Sequence, residues 1–493
     1  MIWRFVEDTS WSAVSIFTPL ILAILAYALR DRGWRLIAWA SVVLPPLAAT
    51  ALLVQVGRIG PVRYEIGGWG SPLGIDLQAD ALSALMVLMC AVVGSAVSLY
   101  AQSYFGPERA HFWPTWLMVW AALNAIFLAA DLFNVYVTLE LLTLGSVILI
   151  ALSASTSALV AAFRYLMLAL TGSLFYLLGV ALLYGQCGTL DMALLGQRVD
   201  SSVPVQLAQA LMILGLALKT ALVPLHFWLP AAHSAAPAPV SAVLSGLIVK
   251  ASFYVLVRLR LDAFDTVSTV AGDHVLGVLG AVAIVWGSLQ AMRVKRLKLL
   301  VAYSTVAQIG YLFLWFPLAR EAGAASLATS GVVLFALAHA CAKAAVFLAV
   351  GAVMRVAGHD RISGLRGIGN RLPLATFAFG LAAVSLMGLP PSGGFAAKWL
   401  MLQAAITTGQ WYWGIVIVLG GLLAAGYLFR FLSRALEADR GADLPPARGR
   451  SHAGLEVPAM LLAVAACVLG FLGVPLCDFC DNGMSHGGLG DAL

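Results

Sequence analysis

The chain has 493 residues, 61% hydrophobic and 11% charged, with a net charge of +6 and a mean hydropathy of +0.94. A soluble globular protein carries about 25% charged residues, so a soluble fold is excluded, and the segments lack the alternating pattern of a membrane barrel. The basic residues are dispersed among loops, which argues against a nucleic-acid partner. The expected fold class is an all-α polytopic membrane protein embedded in the lipid bilayer. No phosphate-cradling glycine loop, HExxH or nucleophile elbow occurs, so the chain is expected to hold no cofactor and no catalytic site of its own.

About 20 apolar residues cross a bilayer. Stretches of that kind predict 14 spans, at 11–29, 36–56, 81–104, 112–130, 132–152, 165–184, 205–225, 240–256, 275–292, 299–316, 325–353, 374–406, 412–431 and 457–474. Glu7 and Asp8 precede the first span, which does not fit a cleavable signal. Asp131 sets the boundary between spans 4 and 5. Span 12 is interrupted by Gly388-Leu-Pro-Pro-Ser-Gly-Gly394. Loops after odd spans carry 18 Lys and Arg, and loops after even spans carry six. Cytoplasmic loops hold the excess of Lys and Arg, so both termini are expected on the non-cytoplasmic side of a bacterial inner membrane. The longest late loop, 435–455, is polar and arginine-rich. Four of the six cysteines lie in or beside apolar spans, where a thiol acts as a small hydrophobe. Cys477 and Cys480, with His486 nearby, fall short of the four ligands of a zinc site, and no metal is expected.

Span 7 holds Lys219 five residues before Pro224, and Pro230 follows. A charged group at mid-bilayer costs about 2.5–3.5 kcal/mol on insertion scales, and a broken helix there frees backbone groups that lipid cannot satisfy. The stretch reads either as a buried protonatable group beside a hinge or as a lysine that snorkels to one surface. Span 12 repeats the combination, with Lys398 beside Pro390-Pro391. A period of five spans requires inversion in the membrane, an arrangement found in transporters. The expected divisions are 1–110 for helices 1–3, 111–260 for a first unit of helices 4–8, 270–435 for a second unit of helices 9–13, and 436–493 for a loop and helix 14.

Four of six lysines fall inside spans: Lys219, Lys250, Lys343 and Lys398. Arginine stays in loops or at span ends. A buried lysine can exchange a proton whereas arginine keeps its charge, so this division suits proton handling; four separate snorkelling lysines are the alternative. Glu140 lies well inside span 5 and is expected to pair with a lysine or to stay protonated among helix contacts. His339 and Lys343, four apart, share a helix face. His226 and His233 flank the break in span 7 and read as an opening or, preferably, as interface residues. Ser304, Thr305, Gln308 and Tyr311 in span 10 could hold water along a proton path or make inter-helix hydrogen bonds.

Several strings resemble one known family. They are Asp131-Leu-Phe-Asn-Val-Tyr-Val-Thr-Leu-Glu-Leu-Leu142, Arg164-Tyr-Leu166 with Thr171-Gly-Ser173, and Tyr184-Gly-Gln-Cys-Gly-Thr-Leu190. Further along come Leu218-Lys-Thr-Ala-Leu-Val-Pro-Leu-His-Phe-Trp-Leu-Pro-Ala-Ala-His233, Ala302-Tyr-Ser-Thr-Val-Ala-Gln-Ile-Gly-Tyr311, His339-Ala-Cys-Ala-Lys343 and Gly388-Leu-Pro-Pro-Ser-Gly-Gly-Phe395. They are similar to the antiporter-like subunits of respiratory complex I, of Mrp-type cation/proton antiporters and of membrane-bound hydrogenases. The resemblance implies two inverted five-helix units. It also implies that Glu140 pairs with Lys219, Lys250 stands on the intake side, His339 and Lys343 link the units, and Lys398 stands at the exit. Length, Lys398 and the string around Asn134 resemble the D-type component of Mrp antiporters most. Cys341, between His339 and Lys343, departs from the small apolar residue expected there. The implied function is proton translocation coupled to Na⁺ or K⁺ efflux, with other membrane subunits as partners; the alternative is a proton-pumping subunit of a redox complex. In the implied mechanism, opening the Glu140–Lys219 pair drives a proton along Lys250, His339 and Lys343 toward Lys398.

Overall fold

A computed structural model describes residues 9–29, 33–71, 74–105, 111–437 and 453–483. Arg30, Arg32, Arg109, Arg440, Arg448, Arg450 and His486, with positions 438–452 of the late loop, lie outside the described residues. Every expected span is helical. Twelve helices among the described residues are long and apolar enough to cross a membrane, and the shorter apolar helices Phe112–Leu128 and Pro373–Met387 occupy the other two positions. Numbered by span, they are α1 Trp11–Leu29, α2 Trp34–Ile59, α3 Ala81–Tyr104, α4 Phe112–Leu128, α5 Leu132–Ala151, α6 Thr156–Cys187 and α7 Val203–Thr220 continued by Trp228–Ala235. Then follow α8 Ala238–Ala263, α9 Val270–Arg293, α10 Leu297–Phe313, α11 Ala322–Ala357, α12 Pro373–Met387 continued by Gly393–Thr407, α13 Trp411–Leu436 and α14 Ala453–Gly483. A small antiparallel hairpin, β1 Val62–Glu65 with β2 Asp76–Ala79, joins α2 to α3, with Val62 opposite Ala79.

Local chemistry sets the boundaries. Asp131 caps α5, accepting from the Asn134 N–H at 2.7 Å, and so separates two nearly continuous apolar runs. Asp80 and Ser83 form a reciprocal capping box on α3. Ser155 caps α6, which therefore begins at Thr156 rather than at the expected 165. Arg164 is thus an exposed helical residue and not a loop residue.

Both breaks follow one rule. A proline cannot donate a backbone hydrogen bond, and its ring collides with the carbonyl four residues earlier. The first piece of α7 ends at Thr220, four before Pro224, and Ala221 turns left-handed at φ 60°. The first piece of α12 ends at Met387, four before Pro391, and Gly388 turns left-handed at φ 84°. Val223–Pro224 and Pro390–Pro391 are both cis. The second piece of α12 restarts on Ser392, whose hydroxyl accepts from the Phe395 N–H.

The core lies around α8, α10 and α11. The apolar windows of α8 and α11 are wholly buried and that of α10 nearly so, whereas α1, α2, α13 and α14 keep most of theirs on the outside. Glycine permits the closest crossings: a Cβ on Gly215 would stand 2.3 Å from the Gly172 carbonyl, and one on Gly310 would stand 2.3 Å from the Gly280 carbonyl. Polar side chains in the buried middle of α8, α10 and α11 are therefore screened from the surface. They must find their partners inside the bundle.

Candidate functional site

Lys219 occupies the last turn of the first piece of α7 and is buried. Its ammonium donates to Thr143 Oγ1 at 2.9 Å, and Thr143 in turn donates to the Leu139 carbonyl. Glu140 Oε1 stands 3.7 Å away, in ion-pairing range but beyond a hydrogen bond. That carboxylate oxygen is buried and has no hydrogen-bond partner. The pair is therefore held loosely, with a hydroxyl between full engagement and separation. Among the described residues, no direct hydrogen bond joins Lys219 to Lys250.

Lys250 and Lys343 are brought together at the centre of the bundle, and both are fully buried. Lys250 follows directly on a widened, π-helical turn of α8 over Leu244–Ile248, a device often found at functional sites. Its ammonium donates to the Ser245 carbonyl at 2.6 Å. The Ser245 hydroxyl meets Thr305 Oγ1 at 2.8 Å, and Thr305 donates to the Val301 carbonyl. Lys343, on α11, donates to that same carbonyl at 2.7 Å. Ser245, Thr305 and Val301 thus form a bridge of three residues between the two ammonium groups. Cys341 is buried on the same turn of α11.

Ser304 and Gln308 of α10 face α13 and α12. Ser304 donates to the Tyr427 hydroxyl at 3.1 Å, and Gln308 donates to the Leu386 carbonyl at 3.2 Å. Lys398 donates to that same Leu386 carbonyl at 2.9 Å and to Met387 at 3.2 Å. Its ammonium lies 4.3 Å from the centre of the Tyr311 ring. A cavity of about 290 Å³ between α12 and α13 opens beside it. His339 stacks on Phe335, and neither of its ring nitrogens has a hydrogen-bond partner. It lies in the electrostatic field of Lys250, Lys343 and Lys398 at once. The set of candidate residues therefore divides in two: Glu140 with Lys219 at one flank, and Lys250, Lys343, His339 and Lys398 through the centre.

The two histidines at the first break part company. His226 is half-buried and accepts from the Trp286 indole at 3.3 Å. His233 is not the interface residue expected; it is wholly buried, stacked on Phe347 at 4.7 Å, with both ring nitrogens unpartnered.

Two basic residues expected in loops lie inside the bundle. Arg258 is buried in α8, where it donates to Asp80 Oδ2 at 2.7 Å and to the Tyr254 hydroxyl at 2.8 Å. The spacing of Tyr254, Arg258 and Asp262 at intervals of four is the signal in the sequence that points to this. Lys298 is 3% exposed and donates to the Ala236 carbonyl. Nothing in the local sequence distinguishes it from neighbouring Lys295, because its cover comes from the end of α7.

Fold and site together define a polytopic helical membrane protein with two proline-broken helices and a set of buried basic groups. The chain matches the model of the NADH:quinone oxidoreductase/Mrp antiporter transmembrane family over residues 129–424 and belongs to that family. It is 36% identical over 475 residues to the N subunit of NADH-quinone oxidoreductase from Desulforudis audaxviator, covering 92% of this chain and 93% of that one. It is 27% identical to the D subunit of the Na(+)/H(+) antiporter from Alkalihalophilus pseudofirmus, with 94% of each chain covered. A chain of the Mrp complex from Dietzia sp. superposes with a TM-score of 0.88 at 28% identity, covering 96% of this chain and 97% of that one. A chain of respiratory complex I from Thermus thermophilus gives 0.75 at 24% identity, covering 95% of this chain and 98% of that one, a likeness of fold alone. Both of these solved structures are of complexes, the Mrp complex and respiratory complex I.

Proposed function

We propose that this chain carries protons across the membrane as one subunit of an Mrp-type cation/proton antiporter. Glu140 acts as the movable counter-charge of Lys219, and Lys250, Lys343, His339 and Lys398 form the line that conducts the proton. The observation that carries the reading is the bridge from Lys250 through Ser245, Thr305 and Val301 to Lys343, at the buried centre of the bundle. Four buried ammonium groups in one fold are costly. Proton exchange gives them a use that packing does not, since a hydrophobic residue of similar size would pack as well. Na⁺ or K⁺ is the cation we assign to the coupled flux, with the two inverted units spanning 111–260 and 270–435 and both termini on the non-cytoplasmic side.

The close superposition on a chain of the Mrp complex supports the antiporter assignment. The higher identity to the N subunit of an oxidoreductase supports a second reading, in which the same line is driven by electron transfer in other chains. Inside-out vesicles containing the products of the whole gene cluster separate the two. Proton movement driven by added Na⁺ or K⁺ is expected for the first reading; movement driven by an electron donor, and indifferent to both cations, would replace it with the second. In either case Glu140→Ala and Lys219→Ala are expected to stop transport while the complex still assembles. Transport at the normal rate in both variants would overturn the role of the pair.

A further inference from the structure

A polar cavity of about 530 Å³ is not accounted for by the Glu140–Lys219 pair. It lies on the face of the odd-numbered loops, the arginine-rich side. Its walls include Ser153, Ser234, Arg355 and, at its base, Lys298. Arg355 is exposed at the rim, where it donates to the Tyr104 carbonyl and lies over the Tyr104 ring. Lys298 is buried behind this opening, and its ammonium is latched to the carbonyl of Ala236. Ala236 caps the second piece of α7 and precedes Pro237, so its carbonyl is one of the groups a helix end leaves without an intrahelical partner.

His233 lies one turn back on that same short helix. It is the buried imidazole whose two nitrogens have no partner, and the charges whose field it feels are those of Lys343, Lys298 and Lys250. Phe347, one turn after Lys343 on α11, stacks on His233 and also carries the Lys343 ammonium 5.3 Å from its ring centre. The imidazole therefore stands between the base of the cavity and the central lysines, held in place by an aromatic face and not by hydrogen bonds. A structural imidazole normally satisfies at least one nitrogen; a shuttle needs both free to take a proton on one side and release it on the other.

We propose that Lys298 and His233 form a proton intake from this cavity to Lys343, separate from the Glu140–Lys219 pair. The ammonium of Lys298 gives a proton, through bridging water, to a His233 nitrogen. The neutral amine takes up a proton from the bulk through the cavity, and the imidazolium passes its proton to the neutral amine of Lys343. Lys298 and His233 end as they began, and one bulk proton has moved to Lys343. The latch to Ala236 holds Lys298 at the boundary between the cavity and the buried core. On this scheme Lys219 is not the first station of the route; it is a charge at the flank that biases the central line. The inference rests on the reading of Lys250, Lys343 and Lys398 as a proton line.

The test uses the assembled complex in inside-out vesicles. Lys298→Leu and His233→Leu are expected to reduce proton transport at least tenfold. Because Lys298→Leu also removes a helix cap, Lys298→Arg is the decisive variant: it keeps the charge and the bond to Ala236 but cannot release a proton. Transport lost in Lys298→Arg, with normal assembly, and partly recovered in Lys298→His, supports the intake. Wild-type transport in Lys298→Arg would show that the lysine only caps the helix and would overturn it. Separately, Ser234→Cys is expected to react with a membrane-impermeant thiol reagent above the background of the parent chain; no added labelling would remove the cavity as a water route. Lys250→Leu in the same vesicles tells failure of the intake from failure of the proton line. If that variant transports normally, the underlying proton line fails; if it is inactive while Lys298→Arg and His233→Leu are normal, only the intake fails.

Discussion

The two broken helices each hold a lysine beside the break, by opposite means. In α7 the lysine precedes the break. Lys219 sits in the last helical turn, with a hydroxyl at 2.9 Å and a carboxylate at 3.7 Å. In α12 the lysine follows the break. Lys398 belongs to the second piece and folds back across the gap to the carbonyls of Leu386 and Met387, the last of the first piece. Among the described residues, no carboxylate stands within ion-pairing distance of Lys398. The first ammonium has a counter-charge that can move or take a proton. The second has the fixed negative end of a helix and the face of Tyr311. A group held by a movable charge can have its proton affinity switched; one held by backbone dipoles changes only when the helix end shifts. We assign the switch to the first unit and a standing receiver to the second.

The largest expected effect is at the switch itself. Lys219→Ala should reduce cation-driven proton transport to background, at least a hundredfold, in vesicles with normal complex content on a native gel. Giving the second break a carboxylate should partly erase the difference between the units. Gln308 shares the Leu386 carbonyl with Lys398, so Gln308→Glu places an acid beside that ammonium. It should hold the proton there and slow transport about tenfold, whereas Gln308→Leu, which adds no charge, should slow it less. Thr305→Val interrupts the bridge between Lys250 and Lys343 at its middle. One net hydrogen bond contributes about 1 kcal/mol, and about 1.4 kcal/mol is tenfold in a rate, so a loss of about fivefold is expected with unchanged expression. The smallest effect belongs to His226→Phe. His226 is half-buried and bonded to Trp286 away from the central line, and transport within about twofold of wild type is expected from the same assay.

How much of this could be read from the residues follows from where each contact originates. The spans were legible because bilayer depth imposes a length on apolar runs, and the Asp131 boundary was legible because a cap acts within three residues. Both breaks were visible as prolines, but the helix ends were not. They fall four residues earlier, at Thr220 and Met387, because it is the clash with the preceding turn that stops the helix. That Glu140 would find a cation was foreseeable for a lone intramembrane acid among four lysines, but Lys219 as its partner was implied only by the family resemblance. The reach of Lys398 back across its break was not, since side-chain direction over a gap depends on how the two pieces are offset. Arg258 and Lys298 were assigned to loops because windowed hydropathy ends where a charge begins. In the fold, α8 runs on to Ala263 and buries Arg258 against Asp80, while the end of α7 covers Lys298. His233 was misplaced for the same reason: its burial is supplied by α11, more than a hundred residues away.

The contrast between the two breaks depends on the charge of Glu140, not on its bulk. Glu140→Gln keeps the shape of the side chain and removes the charge. Proton transport by the assembled complex in inside-out vesicles, measured for this variant beside wild type, should fall to background at every pH at which wild type is active. Transport at the wild-type rate would mean that Glu140 merely fills space beside Lys219, and that the first break is no more a switch than the second.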